Sequence, residues 1–371
     1  MGKDFFLTTG LLAGTIIGAG IFSLPYVFSQ IGFGAGLFYL IFFTLVYFVI
    51  HLMYAKIIES KDGAHQFFYF AKNYLPKKIA NTASFIILFE LILVLTVYLI
   101  LAPTFAELIF GQGGLTALLI FWFLGSLFMF VKLEWLGWAE FLGTLCILAI
   151  VISVIFLGKA PALGAPIFRK IDWPLFFLPF GPLLFSLAGR PAIAKVVEEC
   201  RKIKSSGRSI SLNKIILWGT FIPPIVYLLF VVGILRLNPN VSPEALSGLG
   251  FLPPLALGFL GFLGLLTLWT SYFIIGINIK DILRIDLKRS TRFSVFVVLM
   301  APLVLYFVGF KNFLSVVSLT GSVFLVLEGI FVIAMWRKAF PKNNWRWISW
   351  PLYFIFVVAL GYEIVNFILP S

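Results

Sequence analysis

The chain has 371 residues, of which 61% are hydrophobic and 12% charged, with a mean hydropathy of +1.07. A water-soluble domain carries about 25% charged residues, and 44 Phe, 12 Tyr and 10 Trp are incompatible with a solvated, disordered chain. Both classes are excluded. The net charge of +13 invites a nucleic-acid partner, but the bases sit in short clusters between apolar runs, where they set membrane topology instead. A bilayer is the partner the composition asks for.

A spanning helix needs about 20 mostly apolar residues. Runs of that kind, ended by charge, Gly or Pro, predict eleven spans near 5–31, 34–58, 81–110, 114–131, 138–158, 174–199, 213–236, 252–283, 293–310, 312–336 and 347–369. Residues 61–78 read as a short amphipathic helix at the interface. With the N-terminus inside, 22 of the 28 bases fall on the inner side and 5 on the outer, and Arg190 remains within a span. The expected topology therefore has a cytoplasmic N-terminus and, with an odd number of spans, an outer C-terminus. Trp345, Trp347 and Trp350 anchor the inner edge of the last span. Cys146 and Cys200 show neither metal-ligand spacing nor a disulfide framework.

Two spans break the hydrocarbon pattern. Span 1 reads Gly14-Thr15-Ile16-Ile17-Gly18-Ala19-Gly20-Ile21-Phe22-Ser23-Leu24-Pro25, and span 6 reads Pro179-Phe180-Gly181-Pro182, then Phe185-Ser186-Leu187-Ala188-Gly189-Arg190-Pro191. Gly and Pro inside a helix cost about 1 and about 3 kcal/mol relative to Ala. Gly10, Gly14 and Gly18 alone fit close helix packing. An unwound Gly18-Ala19-Gly20, with backbone free to bind a solute, is the competing reading. The second interruption, five helices later, favours it, because matched broken helices in two halves mark a transporter site. Spans 1–5 (residues 5–158) and 6–10 (174–336) then form two inverted repeats of a single transporter domain, 1–371, with span 11 (347–369) added outside them.

The run Gly14 to Phe22 resembles the GT-x-IGAG-x signature of the amino acid–polyamine–organocation superfamily. Its continuation to Pro25-Tyr26 and Gly32-Phe33-Gly34, and Trp269-Thr270-Ser271-Tyr272-Phe273 with Lys280-Asp281 in span 8, are most similar to the aromatic and hydrophobic amino-acid permease (amino acid/auxin permease) branch. The resemblance implies an all-α leucine-transporter-type fold, a five-plus-five inverted repeat with helices 1 and 6 discontinuous. It also implies alternating access and ion-coupled symport of amino acids, hydrophobic or aromatic by branch, across the cytoplasmic membrane.

A zwitterion in a low-dielectric cavity needs both its charges met. Backbone N–H groups at a half-helix start suit the carboxylate. By resemblance these belong to Gly18, Ala19 and Gly20, while carbonyls near Ile16, Phe185 and Ser186 take the ammonium, and Gly189 is a further substrate-binding candidate. Phe185, Tyr98 and Tyr272 are candidate walls, against a background in which most rings simply pack. Sodium-dependent relatives imply an ion site at the Gly14 and Ile17 carbonyls with the Thr267, Thr270 and Ser271 hydroxyls. The coupling ion, Na⁺ or H⁺, is the only accessory expected; no cofactor and no metal cluster is. Glu328 and Glu90 are proton-path candidates as intramembrane acids, Glu363 reads as structural, and a lone His51 as a helix-to-helix hydrogen bond. Arg190 is left with three options: snorkelling, pairing with Glu198, or gating the inner side. A membrane-embedded enzyme lacks its catalytic cluster here, and a channel its filter or polar faces. An amino-acid sensor on the same fold is the alternative to a carrier. Sequence leaves the oligomeric state open.

Overall fold

The break in span 1 is the first feature the backbone displays. In the computed structural model, which describes residues 2–61, 63, 66–127, 136–158, 173–238 and 240–368, helix α1 (Gly2–Ile16) stops and a 3₁₀ turn (Ala19–Ser23) leads into α2 (Leu24–Ile31). The two parts meet at 47°. Pro25 stands in the first turn of α2, where a missing N–H costs nothing. Gly32, at φ 88°, turns the chain into α3 (Phe33–Glu59).

The remaining helices follow in order: α4 (Phe67–Tyr74), α5 (Lys77–Phe110), α6 (Leu115–Leu127), α7 (Leu136–Leu157), α8 (Trp173–Phe177), α9 (Phe180–Leu187), α10 (Arg190–Ser205), α11 (Leu212–Leu237), α12 (Pro254–Asp281), α13 (Thr291–Val308), α14 (Phe313–Leu319), α15 (Val326–Ala339) and α16 (Ser349–Ile368). Among the described residues there is no strand. Helices α8 to α10 are pieces of one broken span, and α14 joins α15 through a π-helical segment, Thr320–Leu325. Among the described residues, eight helical stretches are long and apolar enough to cross a bilayer, and the bent pair at the N-terminus makes a ninth. The other two expected spans coincide with shorter apolar helices, α6 and the Phe141–Leu157 part of α7. Residues 128–135 and 159–172 beside them lie outside the described residues, as do the expected inner base Lys132 and outer bases Lys159, Arg169 and Lys170.

Lipid is as apolar as leucine, so helices associate here through close packing and hydrogen bonds rather than by escaping water. The long α5 and α12 lie against each other, with Gly264 set against the Phe105 ring, and Gly219 of α11 receives Leu12 of α1. Large apolar side chains point outward on α3 (Phe38, Ile41, Leu45), α13 (Phe293, Phe296, Phe307) and α16 (Phe354, Val357), as lipid-facing surfaces require.

Charges gather at one end of the bundle. Arg208 pairs with Asp4, Lys204 with Glu59 at 3.2 Å, and Arg201 donates to the carbonyls of Ile58 (2.7 Å), Lys61 (2.5 Å) and Gly63 (2.8 Å). This basic face unites the start of α1, the end of α3 and the end of α10. Helix α4 departs from expectation: it is amphipathic, but Phe67, Phe68, Phe70 and Ala71 are buried in protein, not laid on lipid. The three tryptophans are each more than 60% exposed, and Arg337 sits over Trp350 at 4.5 Å.

Candidate functional site: two broken helices

The ladder of α1 ends with Ile17 N–H donating to Ala13 O at 2.9 Å. The carbonyls of Gly14 to Ile17 therefore lie past the last helical bond, where a helix must find other partners. Gly18 is extended, and the chain re-coils when Ile21 N–H donates to Gly18 O at 3.3 Å. The glycines of this break differ in kind. A Cβ on Gly20 would meet Ser186 Oγ and Cα at 2.5 and 2.6 Å, so Gly20 allows the two broken helices to touch. A Cβ on Gly18 meets only Ile16 O and Tyr98 Oη, both at 3.9 Å. The backbone of Gly18 is approachable; that of Gly20 is closed off.

In span 6 the break falls between α9 and α10, at Ala188-Gly189. Its freed carbonyls are met by tyrosines from neighbouring spans. Tyr47 Oη donates to Leu184 O at 2.8 Å, and at the earlier junction of α8 with α9 Tyr39 Oη, two turns back on α3, donates to Phe176 O at 3.0 Å. Tyr227 Oη of α11 lies between Ser186 O at 2.6 Å and Ile16 O at 2.7 Å, its single proton shared between the two breaks. Sequence reasoning assigned the Ile16 and Ser186 carbonyls to the ammonium and missed Tyr227. Only the Pro223-Pro224 pair in α11 hinted that this stretch is special. Each carbonyl keeps a second lone pair. Phe185, also assigned, is buried on α9, and Gly189 packs against Ile16 and His51.

The expected ion ligands converge in part. A cavity of about 30 Å³, room for one or two water-sized spheres, is lined by Gly14, Ile17, Thr270, Ser271 and Tyr98, among others. Thr270 Oγ1 donates to Thr267 O at 2.9 Å, which leaves its oxygen lone pairs available. Thr267 is not among the lining residues; its hydroxyl donates to Gly143 O at 3.4 Å. Tyr98 belongs with this cavity, and its hydroxyl is hydrogen-bonded with Ser271. Tyr272 does not face either break: its ring packs on Phe121 (5.5 Å) and Gly125 of α6, because the helical turn between 271 and 272 directs it away. A larger cavity, about 450 Å³, runs in from the basic face past Tyr69, Lys195 and Asp281. Thr15, Ile274 and Ile275 line both cavities, so the two are neighbours.

Arg190, Glu90 and Glu328 come together. Arg190 Nε lies 2.5 Å from Glu328 Oε2 and Nη2 lies 3.8 Å from Glu90 Oε1, with all three side chains about 95% buried. Phe67 covers the guanidinium at 5.6 Å. The options of snorkelling and of pairing with Glu198 both fail: Glu198 pairs with Lys202 at 2.9 Å on the exposed end of α10. The two proton-path candidates are thus partners of a buried cation. Glu363 accepts from Ser322 Oγ at 2.7 Å, and His51 Nδ1 meets Thr220 Oγ1 at 3.0 Å, the helix-to-helix contact expected of it.

The family model described as transmembrane amino acid transporter protein matches residues 3–233, well over half the chain and inclusive of both breaks. The chain belongs to the transmembrane amino acid transporter family. It is a transporter, not an enzyme. Among curated proteins none matches it significantly. Its fold is that of several solved transporters. MhsT in complex with L-phenylalanine shares 14% identity at a TM-score of 0.67, covering 96% of this chain and 98% of that one. Mhp1, a nucleobase-cation-symport-1 family transporter in a closed conformation, gives 15% and 0.63 over 99% and 87%. A manganese transporter from Eremococcus coleocola gives 14% and 0.62 over 99% and 90%. At these identities the likeness concerns the fold, a leucine-transporter-type bundle with discontinuous helices 1 and 6.

Proposed function

We propose that this transporter carries hydrophobic or aromatic amino acids across the cytoplasmic membrane by ion-coupled symport, with the solute held at the break of helix 1. One observation carries the reading: Gly18 leaves its backbone open beside Tyr98, and the break carries no charged side chain from Gly14 to Pro25. An uncharged site made of backbone N–H and C=O groups suits a zwitterion, whose two charges it meets with opposite ends of the peptide unit. The N–H groups of Gly18 and Ala19 take the carboxylate. The spare lone pairs of Ile16 and Ser186, and the Phe185 carbonyl, take the ammonium. A divalent metal cargo, as in the manganese transporter, would want acids that this break lacks. The solved neighbour with L-phenylalanine bound is consistent with an apolar side-chain pocket walled by Phe185 and Tyr98.

Sodium is the coupling ion under this reading. The 30 Å³ cavity is lined by Gly14, Ile17, Thr270 and Ser271, which offer carbonyl and hydroxyl oxygens suited to a hard cation. Two inverted repeats, 5–158 and 174–336, supply the two broken helices, and span 11 stands outside them. The basic face is cytoplasmic, by the positive-inside rule. A reporter fused after Ser371 should be active only outside the cytoplasm; activity inside would reverse the orientation.

Purified protein in proteoliposomes tests the whole reading. With a panel of amino acids, uptake is expected for apolar and aromatic ones under an inward Na⁺ gradient. Flux separates a carrier from a sensor. Uptake that survives complete sodium replacement and follows a pH gradient alone would reject the sodium assignment.

A further inference from the structure

Two carboxylates and one guanidinium make an odd number. Glu90 on α5, Glu328 on α15 and Arg190 at the first turn of α10 are buried together, so the cluster would carry a net negative charge with both acids ionised. The neighbours do not correct the imbalance. From α3 come Tyr47, whose hydroxyl is given to Leu184 O, and Tyr54; α4 presents only the Phe67 ring; Asp286, beyond α12, adds acid rather than base. His51 faces Thr220. Glu90 Oε2 is a buried oxygen with no hydrogen-bond partner, and Glu90 and Glu328 approach the same guanidinium, at 3.8 and 2.5 Å. A carboxyl proton on one of the two acids satisfies both facts. Like charges sharing a dry site do not both ionise against a single counter-charge.

We propose that Arg190, Glu328 and Glu90 form a proton-counting latch on the inner half of broken helix 6, holding one proton when Arg190 is seated and two when it is withdrawn. Seated, the latch is Arg190⁺ paired with Glu328⁻, with Glu90 a carboxylic acid hydrogen-bonded to its neighbour. Withdrawal of α10 removes the cluster's cation, and the remaining carboxylate takes a proton from a solvent hydronium ion to become a second carboxylic acid. One O–H bond forms, one O–H bond of the hydronium breaks, and a water molecule leaves. Span 10 is built to serve both halves of helix 6. Its π-helical segment brings Gly321 against the backbone of Gly181 in α9, while Glu328, three residues beyond the segment, takes Arg190 of α10. A π-bulge inside a helix often marks a functional site. The outer half of helix 6 is held by backbone packing that no proton changes. The inner half is held by a charge balance that a proton does change. The 450 Å³ cavity comes close to the cluster, for its wall includes Gln66 and Pro191, the chain neighbours of Phe67 and Arg190. Motion of α10 is in this way linked to proton uptake on the basic face, whichever ion drives the solute.

Infrared difference spectroscopy of the purified full-length protein counts these protons without any substrate. The carboxylic-acid C=O stretching band, compared between wild type and single variants at neutral pH, should fall by one acid group in Glu90→Gln. It should fall by the same amount in Glu328→Gln, where the remaining Glu90 then balances Arg190 one to one. In Arg190→Met, which mimics withdrawal, it should rise by one group. Thermal unfolding midpoints should decline less as pH rises in Glu90→Gln than in wild type, because the proton that the pH removes from the cluster is no longer there. A band unchanged in both glutamine variants would overturn the proposal, and so would a midpoint profile in Glu90→Gln identical to wild type. If Arg190→Met does not fold, the two glutamine variants decide the matter alone. None of these outcomes depends on which solute is carried.

Discussion

The two broken helices use the same device and finish it differently. At the break of helix 6 the protein supplies its own partners: Tyr47 and Tyr227 meet the carbonyls of Leu184 and Ser186, and Arg190 opens α10 into a buried ion cluster. At the break of helix 1 the supply is thinner. Tyr227 reaches Ile16 O, while Gly14 and Ile17 line a small cavity and a Cβ on Gly18 would meet nothing closer than 3.9 Å, at Tyr98 Oη and Ile16 O. A polar backbone at membrane depth must be satisfied by something. Under the proposed function, the break of helix 6 is chiefly a joint that lends carbonyls to the solute, and the break of helix 1 is where the solute is held. An interrupted helix is therefore not by itself evidence of binding, and the partner groups tell the two uses apart.

The sharpest way to break this contrast is to remove the cation at the joint. Arg190→Met leaves two buried carboxyls without their counter-charge, and removal of one member of a buried pair costs about 3–5 kcal/mol. A clear drop in the unfolding midpoint is expected, partly recovered in the Arg190→Met/Glu328→Gln double variant, which removes one of the orphaned acids. Next in size is Gly20→Ala. Its Cβ would meet Ser186 at 2.5 Å, and overpacking of that kind costs about 1–3 kcal/mol, so both stability and amino-acid binding should fall. Tyr227→Phe keeps the ring but strands two buried carbonyls, at about 1–3 kcal/mol; unfolding in detergent checks it, and an unchanged midpoint would show that water replaces the hydroxyl. Smallest in stability is Thr270→Ala, whose hydroxyl bonds only within its own helix. It should unfold like wild type yet require more sodium for half-maximal uptake.

Much of this was legible in the chain. Both breaks show as Gly and Pro inside apolar runs, and the basic face shows as the clustering of Lys and Arg. The ion cluster was not legible: Glu90 and Glu328 read as proton-path acids and Arg190 as snorkelling, pairing with Glu198 or gating, because the sequence offers no distance between positions 90, 190 and 328. What it could not display is direction. Tyr98 and Tyr272 look alike in a string of aromatics, but one faces the cavity and the other faces α6, a difference set by helical rotation and packing. The Tyr227 bridge joins positions 211 and 41 residues apart, and no local pattern announces it. Gly18 and Gly20, two residues apart in one motif, differ for the same reason: only the packed neighbours show that Gly20 makes room for a helix and that Gly18 does not.

The central claim is that Gly18 marks the open backbone where the solute sits. Equilibrium binding of radiolabelled L-phenylalanine, or of the best amino acid in the uptake panel, to purified Gly18→Ala tests it most directly. The added methyl meets its neighbours only at ordinary contact distance, 3.9 Å, so the variant should unfold at the wild-type midpoint. Its affinity should nonetheless fall by about tenfold or more, since about 1.4 kcal/mol of lost contact is a factor of ten. Wild-type affinity in a stably folded Gly18→Ala would contradict the claim and place the solute elsewhere.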